Sequence, residues 1–254
     1  MADRPIIFSA PMVRALLDGR KTQTRRLLSQ ARVFATPESS AFTLSGGDMI
    51  RALQGASDFR HLHETGWFWE ADAFEWQAPA TRTGWMAHIG YAAGDRLYVR
   101  EHWKTPLAYE DLAPSELGGE EAVMYLADGH IDMLGRGDRT TLFGRHRQGM
   151  HMPRWASRLT LIVDEVRIQR LNDLTEEEAI AEGVAEHPVK GFWVPGVEHA
   201  SKDFPLLSRA TGRGMFAALW DTLHGSGEWL ANPVVVALTF RVERGNIDNL
   251  GGDA

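Results

Sequence analysis

The segment that most restricts the fold lies between residues 157 and 170. Leu159, Leu161, Val163, Val166 and Ile168 set aliphatic side chains among polar ones, the pattern of a half-buried strand. Shorter strand signals stand near both ends of the chain. One covers residues 5–8, and the other covers 232–243 with an apolar run at 234–238. A turn at Gly94-Asp95 leads into a further strand, Arg96-Leu97-Tyr98-Val99-Arg100-Glu101. Strands this sparse and uneven, with two or three short helices between them, predict a mixed α+β or β-barrel domain. They argue against a doubly wound α/β sheet.

The helices are marked by their ends. Ser9 is placed to cap a first helix, Pro11 suits its first turn, and Met12, Val13, Leu16 and Leu17 recur at helical spacing. Gly19 can stop that helix in a left-handed conformation. The cationic segment Arg20-Lys21-Thr22-Gln23-Thr24-Arg25-Arg26 therefore lies just beyond a helix end. Thr175 and Glu178 have capping-box spacing, so a second helix opens after Leu174 and weakens at Gly183. A third covers 214–223, with Phe216, Leu219, Trp220 and Leu223 on one face. Residues 28–90 lack sustained periodicity, as do 106–150 apart from a short hairpin around Asp128-Gly129-His130. Residues 187–213 read as loop, and the tail from Gly245 as frayed.

Composition removes several function classes. The 254 residues include no cysteine, so disulfides, thiol nucleophiles and cysteine zinc sites are excluded. A formal charge of −7 disfavours broad wrapping of nucleic acid, though a local basic cluster can still grip one phosphate. The start, Met1-Ala2-Asp3-Arg4-Pro5, has no long apolar run, and nothing approaches the ~18 apolar residues of a membrane span. A soluble, cytoplasmic protein without a membrane partner is the expectation. Nine tryptophans serve either packing or base stacking, and composition does not choose between those uses.

The order Gly19-Arg20-Lys21-Thr22-Gln23-Thr24-Arg25-Arg26 resembles the ASCH superfamily, whose signature is a glycine, a lysine two positions on and an arginine further along. The likeness implies a single α+β domain with a PUA-like β-barrel core. The core covers roughly residues 5–27, 93–103, 157–183 and 215–242, with large irregular insertions at 28–92, 104–156 and 184–214. Many ASCH proteins carry Glu where this chain has Thr24. The small bacterial N4-acetylcytidine amidohydrolases of the superfamily carry Thr there, and Lys21, Thr24 and Arg26 match their motif. Their third catalytic residue is a glutamate eight positions after a Leu-Thr-Glu helix opening, which here is Glu182 after Leu174. Trp220-Asp221 and Asn232-Pro233 resemble the ending of larger prophage-borne ASCH proteins.

What the resemblance implies is hydrolysis of the exocyclic amide of an N4-acylated cytosine nucleoside. A small modified nucleoside is then the partner, with RNA or a nucleotide as a further partner class. Thr24 supplies a hydroxyl nucleophile and Lys21 a base, provided its amine is neutral. Burial or the neighbouring Arg20, Arg25 and Arg26 favour neutrality, while a nearby glutamate opposes it. Glu182 orients the lysine and relays a proton, or activates water in a direct attack. Arg26 or a backbone donor holds the acyl oxygen and Arg25 contacts substrate, while Arg100 and Trp103, after the Gly94-Asp95 turn, either wall the pocket or serve as ordinary strand residues. Neither route calls for a metal or another cofactor.

Plainer readings stand beside these. The cationic segment reads equally as a solvated loop. Thr24 alone is an ordinary strand residue, Glu182 an exposed helix residue, and Glu178 a cap. His61 and His63 form a His-x-His pair, with His102, His146 and His151 elsewhere, but no metal-ligand spacing emerges. Gly135-Arg136-Gly137 lacks the strand-to-helix setting of a phosphate loop. Two other functions fit the same resemblance, a non-catalytic RNA or modified-base reader and a ribonuclease.

Overall fold

A computed structural model describes residues 2–27, 91–133, 142–187, 189, 191–195 and 210–250, and the backbone of five further strands between 32 and 88. In chain order the strands begin with β1 (Asp3–Ile7) and β2 (Gln23–Leu27). Five backbone strands follow, β3 (Arg32–Phe34), β4 (Phe42–Thr43), β5 (Phe59–Leu62), β6 (Phe68–Ala71) and β7 (Trp85–His88). Then come β8 (Arg96–Arg100), β9 (Trp103–Lys104), β10 (Val123–Tyr125), β11 (Ile131–Asp132), β12 (Leu159–Arg170), β13 (Ala185–His187), β14 (Gly191–Trp193) and β15 (Val234–Arg244). The α-helices are α1 (Ala10–Leu17), α2 (Glu176–Ala181) and α3 (Gly212–His224).

The central sheet has the order β1-β8-β12-β15-β2. β1 and β8 run parallel, and the remaining neighbours are antiparallel. The long β12–β15 ladder runs from Leu159 opposite Arg244 to Arg170 opposite Val234 and is irregular between Val163 and Glu165. That irregularity explains a shift of phase in the sequence. Leu159, Leu161 and Val163 occupy odd positions, while Val166 and Ile168 occupy even ones, yet all five are buried. One extra residue returns the apolar side chains to the core. The chain is thus mixed α+β, with few helices and several sheets. Among the described residues no sheet closes into a barrel, and no helix is long and apolar enough to cross a membrane.

The main core joins β8, β12 and β15 to α1 and α3 through residues such as Leu16, Leu97, Leu161, Phe216 and Phe240. α1 has only eight residues, too few to persist alone. Val13 and Leu16 are fully buried, and at about 1.5–3 kcal/mol for each such side chain the apolar face holds the helix in place. Ser9 occupies its N-cap with extended backbone but makes no side-chain cap bond. The Ser9 carbonyl accepts from Val13 N–H at 2.9 Å.

Several regions are more ordered than their sequence suggests. The stretch expected to be irregular carries the antiparallel sheet β4-β3-β7-β6-β5. Residues 104–156 hold the β11-β10-β9 sheet over a second core of Trp103, Leu117, Val123, Tyr125, Met152 and Ala156. β13 and β14 pair where a plain loop was expected. The tail is not frayed over 245–250. Asn246 Nδ2 donates to the carbonyls of Arg154, Trp155 and Ser157, and Ile247 is fully buried. These departures share a cause. Short strands and tails gain order from the partners they pair or pack with, which local periodicity does not report.

Candidate active site

Two chain reversals meet at Lys21. After α1, Gly19 takes φ +69°, and the N–H groups of Arg20 and Lys21 both donate to the Ala15 carbonyl at 2.9 and 3.0 Å. This folds Lys21 back beneath the helix end. At the end of α2, Glu182 is the C-cap and Gly183 takes φ +103°. Thr22 N–H donates to the Ala181 carbonyl at 2.8 Å, tying the two reversals together.

The side chains then form a chain of alternating charge. Lys21 Nζ donates to Glu182 Oε2 at 2.6 Å and to the Glu182 carbonyl at 2.9 Å. Arg25 Nη1 donates to Glu182 Oε1 at 3.0 Å, and Arg25 Nη2 to Glu178 Oε2 at 2.7 Å. Arg167 closes the series on Glu178 Oε1. Glu178 and Glu182 lie one turn apart and so share a face of the α2 end, each between two cations. Glu178 also completes the capping box with Thr175. Lys21 is 1% exposed, and Thr24, Arg25 and Glu182 are each 4% exposed, so this is not a solvated basic loop.

Burial pushes the Lys21 amine well below its ordinary range. Glu182 opposes the shift by charge and hydrogen bond, and Arg26 and Arg25 reinforce it. Arg20 does not join them, because its guanidinium is turned to Asp18 and the Gly183 carbonyl. Burial also pushes the Glu178 carboxyl up. The Arg167 hydrogen bond, the Thr175 amide and the charges of Arg25 and Arg167 overcome that and hold it below the usual carboxylate range.

Thr24 lies opposite Leu238 of β15, and the two-residue period puts Arg26 on the same side of β2. Arg26 Nη2 donates to the Ile7 carbonyl at 2.8 Å, and its guanidinium lies 5.1 Å from the centre of the Phe8 ring. The Lys21 ammonium lies 5.6 Å from the same ring. Phe8 is therefore the floor shared by both cations. Arg26 Nε is buried and has no hydrogen-bond partner among the described residues. Burial lowers the Arg26 pKa, while Tyr91 and Glu182 act against it. His224, its ring tilted against that of Trp220 with centroids 4.1 Å apart, is pushed down by burial and then by the charge of Arg26.

Arg100 and Trp103 do not join this group. Trp103 is completely buried in the second core, edge-on to Trp155 with the Arg147 guanidinium above it, so it offers substrate no surface. Its large apolar ring is better satisfied by Tyr125 and Met152 than by solvent. Arg100 alternates with the core residues Leu97 and Val99 and points from the other face of β8. Nothing in the sequence marks Phe8, Tyr91, Arg167 and His224 as residues of this site. His102 and His146 touch on the surface, but among the described residues no three metal-binding side chains gather. The side chains of His61 and His63 lie outside the described residues.

Gly183 is a direct test of how the site is built. A Cβ there would lie 3.1 Å from Ala15 Cβ and 3.6 Å from Lys21 Cβ, on backbone that L side chains rarely adopt. Gly183→Ala is expected to cost about 1–3 kcal/mol in urea unfolding. An unchanged midpoint would show that this turn does not set the position of Lys21.

The described sheet and this buried Lys–Glu–Arg group define a mixed α+β protein with a desolvated amine beside a carboxylate. Comparison with protein families, with curated proteins and with solved structures returns no match to the chain.

Proposed function

We propose that this chain is an ASCH-type amidohydrolase with a PUA-like core, removing the acyl group from N4-acylated cytosine nucleosides of the N4-acetylcytidine kind. The observation that carries the reading is the buried contact of Lys21 Nζ with Glu182, with the amine driven toward neutrality beside the strand that bears Thr24. Thr24 is buried on the face that also carries Arg26.

In the proposed sequence the neutral Lys21 amine takes the Thr24 proton as the oxygen attacks the acyl carbon. Arg26, whose Nε lacks a partner, faces the negative charge that develops on the acyl oxygen. The carbon–nitrogen bond then breaks, the proton passes from Lys21 to the leaving amino group, and water releases the acyl group from Thr24. Both oxygens of Glu182 are already engaged, one by Lys21 and one by Arg25. That favours Glu182 as the group that orients Lys21 over Glu182 as a base for direct attack by water.

The test is multiple turnover of N4-acetylcytidine to cytidine, followed by mass spectrometry. Binding without conversion would support a modified-base reader, and shortening of RNA with the nucleoside untouched would support a nuclease. The pH profile has a definite sign. Because Lys21 sheds its proton below the ordinary 10.5, kcat/KM rises with pH through a midpoint below 10.5. Stability moves the same way. The unfolded chain keeps this proton where the folded chain has lost it, so the destabilising contribution of Lys21 is full below its folded pKa. It is relieved as pH climbs toward 10.5. A rising limb centred at or above 10.5 would remove Lys21 as the base.

A further inference from the structure

On the other side of β8 a surface cavity of about 400 Å³ is lined by Arg100, Pro114, Ser115, Met150, His151, Met152 and Pro153. Its volume is within the usual range for small-ligand sites. The walls are mostly apolar, and Met150 is 55% exposed there. The polar groups are the Arg100 guanidinium, the Ser115 hydroxyl and the His151 imidazole.

Arg100 differs from its neighbours on this face. Arg96 and Arg154 both pair with Asp3, and Arg154 also pairs with Asp248. Arg154 and Arg100 share the ring of Tyr98, at 5.7 and 5.3 Å. Yet, among the described residues, Arg100 meets only neutral acceptors, the Met150 carbonyl and the Tyr98 hydroxyl, each at 3.2 Å. Among the described residues no carboxylate comes within ion-pairing reach of it, and its Nε is buried without a partner. A guanidinium favours planar oxyanions because its donors form a fixed fork. A cation left uncompensated beside apolar walls is complementary to an anion carried on an apolar body.

We propose that this cavity is a second ligand site, separate from the Lys21 group, for a small organic oxyanion. The shared chemistry is a phosphate or carboxylate on Arg100, with a compact apolar body between Met150, Met152 and the two prolines. The full chain is titrated by calorimetry with phenyl phosphate and with benzoate, which separate the two oxyanions, and with neutral benzyl alcohol. At least one anion is expected to bind at a single site, at least about tenfold more tightly than the alcohol, the worth of one charge-assisted contact. Arg100→Gln weakens it by at least about tenfold, and Arg100→Lys restores part of the loss. Met150→Trp, at an exposed position, fills the cavity and abolishes binding while Arg100 stays in place. The site is disproved if neither anion binds, if the alcohol binds equally, or if Arg100→Gln and Met150→Trp both leave affinity unchanged. None of these readouts depends on deacylation, so this inference and the proposed activity fail separately.

Discussion

Glu182→Ala is expected to lower stability by about 3–5 kcal/mol, the usual cost of breaking a buried ion pair from one side. The carboxylate sits between Lys21 and Arg25, and all three side chains are nearly inaccessible to water. Removing it leaves two cations facing a void. Arg25 keeps Glu178, at 2.7 Å, but loses its second carboxylate. Lys21 can shed its proton, and its neutralisation limits the loss. For a chain of this size the change corresponds to a fall in Tm of roughly 6–20 °C. Lys21→Met is expected to cost less, because Glu182 keeps Arg25 and the methionine fills similar space. Urea unfolding of the two variants checks both the magnitude and the order. A Glu182→Ala protein within 1 kcal/mol of the parent would mean that the carboxylate is not held as described.

Thr24→Ala and Lys21→Met should each reduce kcat for N4-acetylcytidine deacylation by about 10³-fold or more, some 4 kcal/mol of barrier. Nucleophile and base act on the same proton, so the double variant should be little worse than either single one. Thr24→Ser keeps a hydroxyl and should retain a measurable part of the rate. Lys21→Arg should not rescue, because a guanidinium stays charged and cannot accept the proton. Circular dichroism separates loss of chemistry from loss of fold. If Thr24→Ala keeps kcat within about tenfold of the parent, water rather than Thr24 makes the attack, and the acyl-enzyme route is wrong.

Much of the site was legible because its parts carry local marks. Gly19 ends a helix and turns the chain, so Lys21 had to leave α1 at a fixed place. Thr175 and Glu178 announce the start of α2, which fixes where Glu182 falls one turn later. The 159–170 strand and its partner near the C-terminus were visible in their aliphatic runs. Arg100 and Trp103 were misplaced because strand polarity and burial depend on what packs on each side of β8. Trp103 went to a second core whose other members come from residues 117–156. The order of the tail is not written locally because Asn246 finds its acceptors some 90 residues away.

The sequence by itself determined where helices begin and end, which strand is longest, and that an amine, a hydroxyl and two carboxylates lie beside those breaks. Only the tertiary structure decided which of them meet. It closed a sequence separation of 161 between Lys21 and Glu182, excluded water from the pair, and brought Arg167 to Glu178. The reason is physical. Caps, turns and periodicity are short-range preferences written in neighbouring residues, whereas the charge state of a buried amine depends on desolvation and on partners that arrive only when distant segments pack.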